Sequence, residues 1–367
     1  MTDSYKLYGA PMSLYTGKVR SYLKKKGLPY DEILSSVSVY KKFIIPRTGV
    51  RYIPVLQTPD DMVLQDTTVI LDELESRHPE NSIYPDTPRQ HLAALLIETY
   101  ADEWLVIPAM HYRWNFPFQN DKFIYSEFGR VVLPWAPAFL RAIVGKKIGG
   151  QFKAKVPLLG ISEKTIPAIE ASYVRLLADL QIHFEQHDYL LGSKPCIADF
   201  GLIAPLYAHL YRDPAPGKLM KKHAPAVVQW VQRMINEEPA LSNGELLPDD
   251  EVPDTLLPVL QRMANEQLPV LKDTDRLLSV WRKDHPDNGA IKRSIGTHTF
   301  SIEGLEGERV VLPYSLWMFA RPVNYYQSLK DKTAVDAMLI DAGFGDSLKQ
   351  GLENDLARPN NILSFAQ

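Results

Sequence analysis

The chain has 367 residues, of which 45% are apolar and 23% are charged. This composition excludes a disordered chain and leaves room for two or three small domains. The formal net charge of −3 argues against a general nucleic-acid binder, which would carry a basic excess. We therefore expect a globular protein with no nucleic-acid partner.

The first part of the chain, residues 1–84, alternates short apolar strands with helices. The first helix has Val19, Tyr22 and Leu23 at helical spacing and Gly27 at its end. The predicted elements are, in chain order, a strand over Tyr5–Tyr8, a helix over Tyr15–Lys26, a strand over Asp31–Leu34, a hairpin of Tyr52–Gln57 with Met62–Leu64, and a helix over Thr67–Arg77. This order predicts an α/β domain with a mixed sheet.

Residues 90–245 follow a proline-rich linker and have a helical pattern throughout. The apolar positions of the helix over Glu170–His187 fall on one face. The predicted helices cover Gln90–Met110, Glu170–His187, Asp199–Tyr211 and Ala226–Asn236, and an aromatic-rich segment runs from Tyr112 to Phe152. We therefore predict an all-α second domain.

Residues 246–367 differ in composition and form a predicted extension. Four prolines interrupt a helix-prone stretch that runs to about Trp281. The predicted elements after it are a hairpin of Thr297–Ile302 with Arg309–Leu312 and helices over Leu316–Leu329 and Ala334–Ala342. The pattern predicts mixed structure for this extension and gives no function for it.

The run from Ser13 to Arg20 follows a predicted strand and opens a predicted helix. It reads Ser-Leu-Tyr-Thr-Gly-Lys-Val-Arg, and it resembles the Ser-Pro-Tyr-Ser-x-Lys-Val-Arg-like run of many soluble glutathione transferases. The resemblance implies that Ser13 is the catalytic serine. A helix N-terminus favours a bound thiolate, and a hydroxyl can donate a hydrogen bond to it. Tyr8 and Tyr15 are the reserve donors, because other classes of that family use a tyrosine near this place.

Two further segments resemble the glutathione-binding parts of the same family. Ile53-Pro54 matches the cis-proline of thioredoxin-like domains, where the preceding residue bonds the cysteinyl part of glutathione. Gln65 and Asp66 match the pair that holds the γ-glutamyl end. Asp66 departs from the more common serine. Its carboxylate would attract the α-ammonium group of the ligand and repel the α-carboxylate.

The sites for a second substrate and for a metal are less distinct. In the family the aromatic region faces glutathione, so Met12, Tyr112, Trp114 and Phe116 are either a pocket for a hydrophobic substrate or part of the core. Two histidines of one helix, His183 and His187, have metal-ligand spacing but lack a third ligand nearby. We expect no metal site.

The number of cysteines and the length of the apolar runs indicate the cellular compartment. Cys196 is the one cysteine, so an internal disulfide is excluded and a reducing compartment is favoured. It stands at the start of a predicted buried helix, where Asp199 forms half of a capping box, and we interpret it as structural. The chain shows no signal-peptide pattern at its start and no apolar run of bilayer length. We expect a cytoplasmic protein with no membrane partner.

Taken together, the resemblance covers about the first 240 residues and implies a thioredoxin-like domain followed by the helical domain of glutathione transferases. It implies an enzyme that uses glutathione as a co-substrate against a hydrophobic electrophile, and a homodimer. Two alternatives stay open. One is a glutathione-dependent lyase or ether-cleaving enzyme, since Asp66 begins an Asp-Thr-Thr-Val-Ile run like that of some such enzymes. The other is a non-enzymatic binding or scaffold protein of the same fold.

Overall fold

A computed structural model describes residues 4–286 and 289–366 of the chain. The first elements reproduce the predicted order of strands and helices, with two additional short helices after the second strand. They are β1 (Tyr5–Gly9), α1 (Leu14–Lys26), β2 (Tyr30–Leu34), α2 (Val37–Val39), α3 (Ile45–Thr48), β3 (Val55–Gln57), β4 (Val63–Gln65) and α4 (Thr67–Arg77).

These strands form one mixed sheet in the order β2-β1-β3-β4. β1 is parallel to β2 and antiparallel to β3, and β4 is antiparallel to β3. The peptide bond between Ile53 and Pro54, just before β3, is cis. The predicted thioredoxin-like arrangement and the predicted cis bond are both confirmed.

The second part of the chain is helical, as predicted. Its helices are α5 (Pro88–Glu103), α6 (Val106–Trp114), α7 (Pro117–Val132), α8 (Ala138–Lys153), α9 (Ile166–Phe184), α10 (Ile197–Pro205), α11 (Pro214–His223) and α12 (Pro225–Ile235). The prediction of one helix over Gln90–Met110 was wrong, because the helix breaks after Glu103. Pro108 has no N–H for the carbonyl of Trp104, and that carbonyl accepts from the Ile107 N–H at 3.0 Å instead.

The extension has helices and two hairpins. Its elements are α13 (Leu257–Arg262), α14 (Leu268–Asp284), β5 (Thr297–Ile302), β6 (Leu305–Val310), α15 (Pro313–Ser328), α16 (Thr333–Asp341), β7 (Leu356–Ala357) and β8 (Ser364–Phe365). The second strand of the first hairpin begins earlier than predicted, because Glu303 and Gly304 form a two-residue turn. Both have positive φ, 48° and 74°, as such a turn requires. The hairpin of β7 with β8 was not predicted.

The extension packs against the rest of the chain rather than standing apart. One apolar core runs from Leu7 of the sheet through Trp104 to Phe319 and Phe344 of the extension. α15 and α16 lie on α5, and every residue of α5 is buried or half-buried. A long helix from Gln90 could have lined the two-fold interface of the expected homodimer, but α5 has little surface left for a second subunit.

A buried ion cluster joins the three parts. The Lys18 ammonium on α1 lies 2.6 Å from a carboxylate oxygen of Glu98 and 2.6 Å from one of Asp102, both on α5. Arg321 on α15 pairs with the other oxygen of Glu98 at 2.6 Å. The side chains of Lys18, Glu98 and Asp102 are at most 2% exposed. Buried charges of this kind persist only when they are paired.

Two side chains that the sequence singled out serve the helical core. Cys196 is buried at the start of α10, where its N–H donates to the Asp199 carboxylate at 3.0 Å. Burial raises the pKa of the Cys196 thiol well above its usual range, which keeps it protonated and unreactive. His183 is buried and contacts the Thr255 hydroxyl at 2.7 Å.

The described helices include none that is both long and apolar enough to cross a bilayer. Likewise, over residues 4–286 and 289–366 we find no cluster of three or more histidine, cysteine or acidic side chains placed to hold a metal ion.

Candidate functional site

A cavity of about 380 Å³ lies where the N-terminal sheet, the helical part and the extension meet. That volume is within the usual range for small-ligand sites. The lining comes from the segment around the cis bond and the start of α4, from α5 and α6, and from the extension. The lining residues include Tyr15, Tyr52, Ile53, Pro54, Gln65, Asp66, Thr67, Glu103, Val106, Arg293, Tyr314, Arg358 and Leu363.

Five of the residues predicted for the site surround this cavity. They are Tyr15, Ile53, Pro54, Gln65 and Asp66. The loop before β3 brings the cis bond to the rim, and β4 leads directly from Gln65 into α4. Asp66 is the N-cap of α4, with its carboxylate accepting from the Thr68 N–H at 3.0 Å. The N-cap position, with a φ of 92°, therefore orients this carboxylate at a helix N-terminus.

Ser13 does not line the cavity, although it occupies the predicted position at the N-terminus of α1. Its Oγ accepts a hydrogen bond from the Thr16 N–H at 3.3 Å, which makes it the N-cap of that helix. This bond uses a lone pair of the oxygen and leaves the hydroxyl proton free to donate. The placement agrees with a helix cap and is compatible with the predicted catalytic role, which stays a prediction.

The two reserve tyrosines lie in different surroundings. Tyr15 lines the cavity, and its hydroxyl donates to the Asp102 carbonyl oxygen at 3.2 Å. Burial raises the pKa of Tyr15 well above its usual range, so the phenol keeps its proton. Tyr8 stacks on Phe43 with 4.1 Å between ring centroids and packs in a separate apolar cluster. Of the two, only Tyr15 has access to a ligand in the cavity.

The residues predicted for a second-substrate pocket lie outside the cavity lining. Met12, Tyr112 and Trp114 are at most 6% exposed, and Phe116 is half-buried and stacks on Tyr112 at 5.3 Å. Of the two interpretations left open for these four residues, the structure favours the core. The apolar wall of the cavity is instead formed by side chains such as Val106 and Leu363.

Acidic and basic side chains both line the cavity. Glu103, on α5, has a pKa held well above its usual range by burial and then by the charges of Asp102 and Asp66. Its protonated form is therefore favoured, and that form can donate a hydrogen bond. Arg293 lies over the Tyr52 ring, 5.2 Å from its centroid. The cavity thus offers donors as well as an acidic acceptor to a polar ligand.

The extension supplies two groups that contact Oδ2 of Asp66. The Tyr314 hydroxyl donates to Asp66 Oδ2 at 2.6 Å, and Arg358 pairs with the same oxygen at 3.1 Å. Arg358 Nη2 also donates to Gln65 Oε1 at 3.1 Å. Sequence reasoning missed Tyr314 and Arg358 because no motif of the extension pointed to this site. Thr67 was missed too, although it directly follows Asp66.

Two family sequence models match parts of the chain, and the first of them covers the cavity residues from Tyr15 to Thr67. The model of the glutathione S-transferase N-terminal domain matches residues 7–82, and that of the C-terminal domain matches residues 161–238. Two stretches of the chain therefore match the two domains of glutathione S-transferases. The helices α5 to α8 and the extension lie outside both matches. No curated protein sequence matches the chain.

Solved structures with the glutathione transferase fold are similar to this chain at low identity. The beta-etherase LigF from Sphingobium sp. strain SYK-6 is 20% identical, over 65% of this chain and 97% of its own, with a TM-score of 0.46. A glutathione S-transferase from Methylobacterium radiotolerans in complex with glutathione sulfonate is 21% identical, over 65% and 93%, with a TM-score of 0.39. One from Methylobacillus flagellatus with bound glutathione is 17% identical, over 64% and 100%, with a TM-score of 0.38.

Proposed function

We propose that this protein binds glutathione in the cavity and activates its thiol for attack on a hydrophobic electrophile. The observation that supports the proposal most directly is the position of the cavity. The cis bond at Ile53-Pro54, Gln65 and Asp66 all belong to the matched N-terminal domain and line the same space. Fold membership alone does not settle an activity, whereas this set of groups suits a peptide-like ligand.

The cysteinyl unit, the γ-glutamyl end and the thiol of glutathione each have a complementary group in this arrangement. The backbone of Ile53 offers an N–H and a carbonyl to the cysteinyl unit, and Gln65 and Asp66 face the γ-glutamyl end. In this proposal the thiol points toward the N-terminus of α1, where the free hydroxyl proton of Ser13 donates to the thiolate. Tyr15 could take this role only by releasing the Asp102 carbonyl oxygen, to which its hydroxyl donates at 3.2 Å. The apolar wall with Val106 and Leu363 takes the hydrophobic partner. A cytoplasmic location and a homodimer remain predictions, and any dimer must use a surface other than α5.

The first test is the binding of glutathione itself. We expect millimolar glutathione to raise the melting temperature, because a ligand at 100 times its dissociation constant adds about 2.7 kcal/mol to stability. Asp66→Asn should reduce this shift. Asp60→Asn is the matched control, since Asp60 forms an exposed ion pair with Arg77 outside the cavity lining.

Turnover of a generic aryl halide by the wild type then tests the reaction. Binding without turnover would favour the non-enzymatic alternative, and the absence of both would reject the proposal.

A further inference from the structure

Arg358 lies in the extension and lines the cavity, and its guanidinium stacks on two aromatic rings. It directly follows β7, and its side chain is 8% exposed. The guanidinium carbon lies 5.3 Å from the ring centroid of Tyr314 and 5.1 Å from that of Trp317. An arginine stacked on aromatic rings in this way loses little further freedom when it binds a ligand.

One nitrogen of this guanidinium has unused bonding capacity. Nη2 donates to Gln65 Oε1. Nη1 lies 3.1 Å from Asp66 Oδ2, yet within the described residues it has no partner in hydrogen-bond geometry. A buried donor without a hydrogen bond is costly. Carboxylate and phosphate groups both match the fork of an arginine, and glutathione carries carboxylates.

We propose that Arg358 and Asp66 together bind the zwitterionic amino-acid end of the ligand. The guanidinium of Arg358 receives the α-carboxylate, and the Asp66 carboxylate receives the α-ammonium group. This inference rests on the proposed function, because glutathione carries such an end on its γ-glutamyl unit. It also removes the difficulty raised by Asp66, whose charge alone would repel the ligand carboxylate. The extension, which lies outside both matched domains, thereby becomes a determinant of specificity.

The test compares two ligands by calorimetry, on the wild type and on three variants. The ligands are glutathione and γ-aminobutyryl-cysteinylglycine, which lacks only the α-carboxylate. We expect the wild type to bind the second ligand about tenfold to a hundredfold more weakly, the effect of a hydrogen bond to a charged group. Arg358→Gln should bind the two with nearly equal affinity. Arg358→Lys should keep part of the preference, and its melting temperature shows whether the variant is folded.

Arg282→Gln is the matched control. Arg282 is exposed, and its guanidinium lies 4.3 Å from the ring centroid of Phe365, so it contacts the same terminal hairpin without lining the cavity. It should keep the wild-type preference. If Arg358→Gln also keeps it, or binds glutathione more tightly, Arg358 does not receive the carboxylate, while the proposed function stands. If the wild type fails to bind glutathione, both proposals fall together.

A second, independent feature is the exposed apolar tip of the hairpin that α7 and α8 form. We call Trp135, Phe139, Leu140 and Ile143 the hairpin tip; they are 79%, 65%, 40% and 65% exposed. Phe139 and Ile143 are four residues apart on α8 and so share one face. A group of large apolar side chains this exposed marks an interaction surface.

The sequence segment that contains the hairpin tip carries charges of a single sign, and the nearest acidic residue before it, Glu127, pairs with Arg130 at 3.8 Å. Residues 128–162 contain no aspartate or glutamate. Their basic residues are Arg130, Arg141, Lys146, Lys147, Lys153 and Lys155. A two-fold contact through this face would bring like charges together, which disfavours a second copy of the chain. An anionic surface complements both the charge and the apolar groups.

We further propose that the hairpin tip docks on an anionic phospholipid surface. Such contacts usually combine three elements: a tryptophan at the level of the lipid headgroups, aliphatic side chains that enter the lipid, and flanking lysines. The expectation of no membrane partner rested on the lack of a spanning segment, and docking of this kind needs none.

Sedimentation with vesicles tests this proposal. Vesicles of phosphatidylcholine with phosphatidylserine should bind the protein, and those without phosphatidylserine should bind much less. Ile143→Ser should weaken binding about tenfold, by loss of apolar burial. Ile340→Ser, at an equally exposed isoleucine of α16 with 66% exposure, should leave it unchanged. Trp135 is the most exposed of the tryptophans, so its emission should shift to the blue on binding.

Three outcomes would overturn the membrane proposal. The first is no sedimentation with anionic vesicles, and the second is an equal effect of Ile143→Ser and Ile340→Ser. The third is a dimer in light scattering that Ile143→Ser abolishes, which would assign the hairpin tip to a second copy of the chain.

Discussion

Replacing Lys18 by methionine is expected to lower the free energy of unfolding by about 3–5 kcal/mol, because it leaves buried carboxylates without their partner. The Lys18 ammonium contacts both Glu98 and Asp102 at 2.6 Å. Burial raises the pKa of Asp102 to about 7 even with Lys18 beside it, so this group is already close to losing its charge. Without Lys18, Asp102 would take up a proton and Glu98 would rely on Arg321 alone.

Urea denaturation measures this effect, and Lys349→Met is the matched control. Lys349 also bridges two carboxylates, those of Asp336 at 3.4 Å and Asp346 at 3.0 Å, but its side chain is 45% exposed. Solvent screens such pairs, so the control should cost less than about 1 kcal/mol. Equal losses in the two variants would show that burial does not strengthen the Lys18 cluster.

Replacing Ser13 by alanine is expected to reduce turnover about tenfold to a hundredfold while leaving glutathione binding in place. A free thiol has a pKa near ~8.5, so only about 3% is thiolate at pH 7. Lowering that pKa by about two units requires roughly 2.7 kcal/mol. A helix N-terminus supplies ~0.3–1 kcal/mol, and up to ~2 in favourable sites, so a hydrogen bond worth about 1.5–3 kcal/mol is needed as well.

The control separates this chemistry from the loss of a helix cap. Ser36 caps α2 in the same way, with Oγ accepting from the Val39 N–H at 3.3 Å, and it lies outside the cavity lining. Each alanine variant should lose about 1 kcal/mol of stability, but only Ser13→Ala should lose turnover. If Ser13→Ala keeps full turnover and Tyr15→Phe abolishes it, the role passes to Tyr15, which lines the cavity. The pH dependence of glutathione thiolate formation distinguishes either case from a folding defect.

Much of the N-terminal domain could be predicted because its signals are local. The helix that begins after Ser13 ends at Gly27, whose φ of 72° suits glycine. The cis bond was identified from the resemblance. Lys18 belongs to the Ser13–Arg20 run that carried the resemblance, but its ion-pair partners Glu98 and Asp102 lie 80 and 84 residues away along the chain. No local pattern could therefore reveal that it joins the two domains through a buried ion cluster.

The candidate site could be predicted only in part, and the physical reason is distance along the chain. Gln65 and Asp66 were found, whereas their partner Arg358 is 293 and 292 positions away. The aromatic residues around Tyr112 and Trp114 are equally apolar in a core and in a pocket, so composition alone could not decide between these environments. The break between α5 and α6 depends on Pro108, which also escaped the prediction.

The closure of the cavity by the extension has a consequence for the order of events during synthesis. Ribosomes add about 5–20 residues per second, and N-terminal domains generally fold first. The two matched domains are complete at residue 238, well before Arg358 is made. A nascent chain can therefore fold its two matched domains around an open cleft for several seconds, and the extension closes that cleft only after its own residues have been made.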